Sequence, residues 1–182
     1  MLRSALISLT LFSSLANAHN VMLGQPVPSL FIADKGEMMM QQGKLNYQKW
    51  RSQALTGKVR LIIHVAGRIS AKEQTAGLIS ALEHAALPRN TFQTTTIVNT
   101  DDVLPGSGIF VVRSIESSKK STPWQQFIID NSGVAQHTWQ LKPQGSTVIV
   151  VDQHGIVRFA KDGALTSQEV NHVMSELRTL LG

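Results

Sequence analysis

The chain of 182 residues contains no cysteine. Disulfides, a thiolate nucleophile, a cysteine-ligated zinc ion and an iron–sulfur cluster are therefore all excluded. Aromatic residues are scarce, at 5% of the chain, and the 17 lysine and arginine residues are scattered along it. The formal net charge is +5, but the chain lacks a basic stripe with interleaved stacking aromatics, so no nucleic-acid partner is expected.

Residues 1–18 contain the three parts of a secretory signal peptide in the expected order. Arg3 provides the positive end, residues 5–15 form a short apolar core, and Ala16-Asn17-Ala18 is an Ala-x-Ala cleavage site. The remaining chain has no run of about 18 apolar residues, which is the length that a membrane-spanning helix requires. We therefore expect residues 19–182 to be one exported domain without a membrane span, located in a bacterial periplasm.

Cleavage after Ala18 leaves His19 at the new N-terminus. A terminal amine and an imidazole on one residue can chelate copper, and further ligands would have to come from His64, His84, His137, His154 and His172. No His-x-His spacing occurs, so a frayed terminus is the favoured interpretation and no cofactor is expected. The triplet Met38-Met39-Met40 is interpreted as core packing rather than a copper(I) site.

An apolar run at the centre of the chain organises the predicted fold. Residues 59–65 predict a buried strand, followed by a turn at Gly67 and a helix that ends before Pro88. Ser70 and Glu73 have the Ser-x-x-Glu spacing of a capping box at the start of this helix. In α/β folds, ligands usually bind at the carboxyl end of such a strand.

Strand and helix patterns alternate through the rest of the chain. The predicted strands and hairpins cover residues 29–40, 92–98, 127–134 and 148–157. The other predicted helices cover residues 107–118, with Phe110, Val111 and Ile115 as the apolar face, and residues 166–181, beginning with a capping box. Residues 45–55 are expected to form a short helix or an irregular segment, with Tyr47 and Trp50 on one face.

Two segments resemble secreted thioredoxin-like reductases and peroxiredoxins. Residues 57–63 resemble their Gly-Lys-Val-x-Leu-x-x run, and residues 147–155 resemble their Thr-x-x-x-x-Asp-x-x-Gly hairpin. More narrowly, the chain looks like the YtfJ-type family of small exported proteins at residues 67–73, 94–102, 105–108 and 160–166. The resemblance implies a thioredoxin-like α/β fold: a three-layer sandwich with a central mixed β-sheet, helices on both faces and an N-terminal β-hairpin.

The chain departs from the thioredoxin pattern at the positions that carry its chemistry. Ile69 and Lys72 fall where the resemblance places the two redox cysteines, and Ser146 falls where it places a cis-proline. Because a lysine ammonium cannot exchange disulfides, thiol–disulfide oxidoreductase and peroxidase activities are excluded.

The candidate ligand site lies at the end of the central strand and comprises His64, Arg68, Ser70, Lys72, Asp101 and Asp102. A helix start there would present N–H groups, and Arg68 and Lys72 would add donors. Each side chain also has a structural interpretation. Arg68 would pair with Asp101 or Asp102, the aspartates would cap the next loop or helix, Lys72 would be solvated, and His64 would be a half-buried, hydrogen-bonded core residue.

Three classes of function remain open. The leading hypothesis is a non-catalytic binding or accessory module for a small anion, a peptide or a partner protein of the cell envelope. The alternative is a non-thiol enzyme with an acid–base pair drawn from His64, Asp101 and Asp102, or a copper protein that uses His19. A structural role in the envelope would show as an exposed apolar patch near residues 38–40 or Trp124.

Overall fold

A computed structural model describes residues 19–182, so the predicted signal peptide lies outside the described residues. The strands are β1 (Phe31–Gln41), β2 (Lys44–Arg51), β3 (Val59–Ala66), β4 (Phe92–Asn99), β5 (Gln126–Asp130), β6 (Ser146–Val151) and β7 (Val157–Asp162). The helices are α1 (Ile69–Glu73), α2 (Ala76–Ala85), α3 (Gly108–Ser121), α4 (Val134–Trp139) and α5 (Ser167–Leu181), with a 3-10 helix at Ser52–Leu55. None of the helices in this part of the chain is long and apolar enough to cross a membrane.

The strands form one mixed sheet in the order β2-β1-β5-β4-β3-β6-β7. The three central strands, β5, β4 and β3, are parallel to one another, whereas the other neighbouring pairs are antiparallel. Parallel neighbours need a long crossover, which α1 and α2 provide between β3 and β4 and α3 provides between β4 and β5. The carboxyl ends of β3, β4 and β5 therefore meet at one edge of the sheet.

Alternating side chains of the sheet contribute to cores on both of its faces. On one face, Ile62, Ile97 and Ile149 pack with Trp139 of α4. On the other face, α2 and α5 cover a second cluster, and α3 covers a third that contains Ile115. This arrangement of helices on both sides of a mixed sheet, with a hairpin of β1 and β2 at its start, confirms the predicted fold class.

The predicted helix after β3 is divided in two, and its capping box does not form. The N-cap residue is Arg68, without a side-chain capping bond, because α1 begins at Ile69. Ser70 is therefore already inside the first turn, where its hydroxyl cannot act as the cap. A turn at Gln74 and Thr75 then separates α1 from α2, and the Thr75 hydroxyl donates to the Lys72 carbonyl at 3.1 Å.

The helical interpretation of residues 45–55 is wrong, because most of them form β2. Gln42 and Gly43, with φ of 49° and 75°, form the tight turn that pairs β2 with β1. Tyr47 and Trp50 lie three residues apart on a strand and so face opposite sides. Trp50 joins the core beside α4, whereas the Tyr47 hydroxyl donates to Glu116 of α3 at 3.1 Å.

The two predicted strand–turn–strand units had different outcomes. Residues 148–157 do form a hairpin of β6 and β7. The unit at residues 127–134 is wrong, because α4 follows β5. The Asp130 carboxylate accepts the backbone N–H groups of Val134 and Ala135, at 3.0 and 2.8 Å, so this aspartate begins a helix rather than a hairpin. The second predicted capping box, at the start of α5, is confirmed.

Candidate functional site

Gly67 brings the corner between β3 and α1 against the loop that follows β4. A Cβ atom at this position would lie 2.5 Å from Val103 Cγ1 and 3.2 Å from the Asn99 carbonyl oxygen. The Gly67 N–H donates to that same carbonyl oxygen at 2.9 Å. Any other residue here would have to push the Val103 side chain aside, so the absence of a side chain at Gly67 allows the corner and the loop to meet closely.

The Arg68 side chain binds the same loop through an ion pair. Its Nη2 and Nε atoms lie 2.8 and 3.0 Å from Asp102 Oδ1. The other carboxylate oxygen of Asp102 accepts the Gln144 backbone N–H at 2.5 Å. One half-buried carboxylate thus joins three segments at the sheet edge: the start of α1, the loop after β4 and the loop before β6.

The loop before β6 is also tied to the helices. The Gln74 side-chain oxygen accepts both the N–H and the hydroxyl of Ser146, each at 3.0 Å. The Ala66 N–H donates to the Gly145 carbonyl at 2.9 Å. Ser146 is buried by these contacts, so the position that the family resemblance aligned with a cis-proline lies beside the predicted corner.

His64 lies beneath the corner rather than in it. Its ring is 1% exposed, and neither ring nitrogen has a hydrogen-bond partner within residues 19–182. The interpretation of a half-buried, hydrogen-bonded histidine is therefore wrong on both points. Burial lowers the pKa of His64 to about 4, partly opposed by the negative charge of Asp102. A neutral, enclosed imidazole cannot contact a ligand docked from outside without a rearrangement.

The remaining predicted site residues lie at the surface. Ser70, Lys72 and Asp101 are exposed, and Lys72 fits its solvated interpretation. Neither aspartate caps the loop after β4. Instead, the Asn99 side-chain oxygen accepts the N–H groups of Asp101 and Asp102, at 2.9 and 3.3 Å. Of the two predicted pairings of Arg68, with Asp101 or with Asp102, the structure shows the one with Asp102.

Four large exposed apolar side chains lie in the segments that meet at this corner, namely the start of α1, the loop after β4 and the start of α3, and the sequence analysis missed their exposure. Ile69, Leu104, Ile109 and Phe110 are 80%, 55%, 57% and 67% exposed. We call these four residues the corner patch. Leu104 follows Val103 in the chain and Phe110 precedes Val111. The Cγ1 atoms of Val103 and Val111 would lie 2.5 and 3.4 Å from a Cβ atom at Gly67, so both segments reach this corner.

The exposed apolar side chains bear on two of the sequence-based interpretations. Phe110 was assigned to the buried face of α3 but is exposed. A structural role was to show as an exposed apolar patch near residues 38–40 or Trp124. Met38 is fully buried, whereas Trp124 is 47% exposed and has the Arg89 guanidinium 3.7 Å from its ring centroid. The sequence did contain a sign of the corner patch, namely the apolar residues on both sides of the turn at residues 105–108: Leu104 before it, and Ile109 and Phe110 after it.

His19, the proposed copper ligand, is buried. The next residue is held on α4, since the Asn20 N–H donates to the Trp139 carbonyl at 3.1 Å. Within residues 19–182, no group of three or more histidine, aspartate and glutamate side chains is placed to hold a metal ion. The frayed terminus that the sequence favoured is thus replaced by a docked segment.

This architecture is that of thioredoxin-like proteins. A candidate DsbE thiol:disulfide interchange protein from Chlorobium tepidum matches with a TM-score of 0.61 and 13% identity, over 90% of this chain and 100% of that one. A candidate protein disulfide isomerase from Bacteroides thetaiotaomicron matches with a TM-score of 0.60 and 14% identity, over 90% and 92%. At these identities the likeness shows the fold alone, so the chain is a thioredoxin-like domain without the cysteines of a thiol enzyme.

The family follows from closer matches. The family described as "Bacterial protein of unknown function (YtfJ_HI0045)" matches residues 21–180, and the chain belongs to this YtfJ family. The Escherichia coli K12 protein YtfJ is 52% identical over 171 residues, which cover 94% of this chain and 93% of that protein. A Haemophilus influenzae Rd protein is 35% identical over the same shares of the two chains. The resemblance recognised in the sequence is thereby confirmed.

Proposed function

We propose that this protein is a non-catalytic binding module whose partner docks on the corner patch. The observation that carries the proposal is Ile69, which is 80% exposed at the position that the thioredoxin pattern gives to a redox cysteine. Removing apolar surface from water contributes about 25 cal/mol for each Å². Four such side chains at one corner are therefore a stronger basis for docking than single scattered ones.

A partner protein or peptide fits this corner better than a small anion does. The Arg68 charge is already paired with Asp102, so it offers little attraction to another anion. The α1 helix has five residues, which is too short to act as an anion site by itself. The Asp102 carboxylate also joins three segments beneath the patch, so the docking surface is preformed and loses little conformational entropy on binding.

Site-specific photo-crosslinking in the native cell envelope tests the docking site. A photoreactive amino acid is introduced in place of Ile69, Leu104 or Phe110, and in place of Trp124 as the exposed control away from the corner. The three corner positions are expected to give one common adduct that the control does not give. Adducts from Trp124 alone, or none from any corner position, would refute the proposal.

We also propose that residues 1–18 direct export to the periplasm and are then removed. The order of a positive end, an apolar core and Ala16-Asn17-Ala18 supports this. Amino-terminal sequencing of the protein from a periplasmic fraction is expected to begin at His19. Recovery of a chain that retains Arg3 in the cytoplasmic fraction would contradict it.

A further inference from the structure

The outward face of α3 continues the corner patch into a basic strip. Ile109 stands in the first turn, and Arg113 and Lys120 follow at spacings of four and seven residues, which keeps all three on one side of the helix. All three side chains are exposed. The opposite side of α3 carries the buried Ile115 and Lys119, and the Lys119 ammonium donates inward to backbone carbonyls at 2.8 and 2.6 Å.

The exposed cations of α3 are not held in ion pairs within the described residues. Arg113, Lys120 and Lys72 take part in none of the ion pairs found in residues 19–182. Lys35 lines a shallow cavity of about 320 Å³ beside the start of α3. The carboxylate between Arg113 and Lys120 on α3 is Glu116, which is half-buried and accepts the Tyr47 hydroxyl at 3.1 Å. Glu73 on α1 and Asp101 in the loop after β4 are exposed.

We infer that the partner segment that docks on the corner patch is acidic as well as apolar. This inference rests on the proposed function and names the chemistry of the partner. An apolar side chain of the partner packs among Ile69, Ile109 and Phe110, while its carboxylates face the cations of α3. Charge complementarity of this kind fixes the direction in which the segment lies along the helix and speeds its association.

The helix geometry sets the spacing of the carboxylates. Arg113 lies about 6 Å along the helix axis from Ile109, and Lys120 about 16 Å, at 1.5 Å for each residue. An extended segment advances about 3.3 Å for each residue. The partner therefore carries acidic residues about two and about five positions away from its apolar anchor.

A membrane surface is a poorer match for this face. Beyond Phe110, the outward side of α3 consists of Arg113, Lys120 and the small polar side chains of Ser114, Ser117 and Ser121. A helix that lies in a membrane interface needs an apolar face along its whole length. The apolar side chains here are confined to one end, as they would be for a single anchoring contact with a protein.

Fluorescence anisotropy with designed peptides tests the inference. The probe is a labelled nine-residue peptide with two leucines and with aspartates two and five positions beyond them. Comparison peptides carry asparagine or lysine at the same two positions. At low salt, the acidic peptide is expected to bind the purified protein at least tenfold more tightly than the asparagine peptide, and the difference should shrink as salt rises.

Two double variants separate the contributions of charge and apolar contact. Arg113→Glu with Lys120→Glu is expected to abolish the preference for the acidic peptide. Lys58→Glu with Arg178→Glu, just before β3 and on the exposed side of α5, makes the same change of charge on the part of the sheet that α5 covers, and should preserve the preference. Ile109→Ser with Phe110→Ser should weaken binding of all three peptides.

The outcomes distinguish failure of the acidic-partner inference from failure of the proposed docking function on which it rests. Equal binding of the acidic and asparagine peptides, with loss in the Ile109→Ser and Phe110→Ser variant, would overturn the acidic partner and leave the docking site intact. No binding of any peptide would overturn the inference, and the crosslinking at Ile69 would still decide the proposed function. Tight binding to phosphatidylglycerol vesicles, lost in the Arg113→Glu and Lys120→Glu variant, would replace the protein partner with a lipid surface.

Discussion

Acidification should destabilise this fold through His64. The ring is 1% exposed and unpartnered within the described residues, and burial lowers its pKa to about 4, against the opposing effect of Asp102. In the unfolded chain a histidine titrates near pH 6.5. A group whose pKa is depressed in the folded state contributes stability above its unfolded pKa, and this stability is lost as the pH falls through the window toward the folded pKa.

Protonation of His64 therefore destabilises the fold progressively as the pH falls from about 6.5 to about 4. Each unit of difference between the two pKa values corresponds to about 1.4 kcal/mol, so the full loss is about 3 kcal/mol. Between pH 7 and pH 5, the linkage relation gives a loss of about 2 kcal/mol from this side chain. That is a substantial part of the roughly 5–15 kcal/mol by which domains are stable.

Urea unfolding at pH 7 and pH 5, followed through the fluorescence of the buried Trp50 and Trp139, measures this loss. His64→Leu removes the titrating ring and is expected to reduce the pH-dependent loss by about 2 kcal/mol. His64→Gln should do the same if the leucine variant folds poorly. His84→Gln, at an exposed position of α2, is the matched control and should leave the loss unchanged. If His64→Leu loses as much stability as the wild-type protein between the two pH values, the reasoning is wrong.

Three further substitutions test the contacts that build the corner and its neighbours, each by urea unfolding. Asp102→Asn should cost about 1–3 kcal/mol, because it removes the charge that pairs with the α1 start, whereas its exposed neighbour Asp101→Asn should change stability by less than about 0.5 kcal/mol. Gly67→Ala should cost about 1–3 kcal/mol, since its Cβ would lie 2.5 Å from Val103 Cγ1, and adding Val103→Ala should recover part of the loss. Asp130→Ala should cost about 1–2 kcal/mol by removing the acceptor for two N–H groups of α4, with faster amide exchange in its first turn.

The sequence predicted most of the strands and helices of this fold, because their apolar residues follow local periodicities. β3 is a mostly apolar and almost wholly buried run, and α5 repeats apolar residues at spacings of three and four. The errors arose where a side chain bonds to a distant or unexpected partner. Asp130 looked like a turn residue and instead caps α4, and β2 shows its strand character only once it is paired with β1.

The candidate site was also predicted only in part, because its contacts join residues that are distant in the chain. The ion pair of Arg68 was foreseen as a possibility, but the sequence could not choose between two adjacent aspartates. Asp102 is chosen because its second oxygen accepts the Gln144 N–H, a contact made 42 residues away in the chain. The exposure of Phe110 was missed because this residue was grouped with Val111 and Ile115 as one apolar face. Its spacing from these two residues fits one side of a helix only approximately. The burial of α3 is set by where β1 and β5 lie, which no local pattern contains.

The outward position of Ile69 is enforced by two nearby residues, Arg68 before it and Ala71 two positions after it. Arg68 is fixed on one side by its ion pair with Asp102, and Ala71 is fully buried on the other side of the first turn of α1. Turning the Ile69 side chain inward would rotate this turn, which would break the Arg68–Asp102 ion pair or expose the alanine. Each loss costs about 1–3 kcal/mol, comparable with the about 1.5–3 kcal/mol gained by burying an isoleucine. The exposed isoleucine is therefore held by the same contacts that connect the corner, and a docking partner would cover it without any rearrangement of the fold.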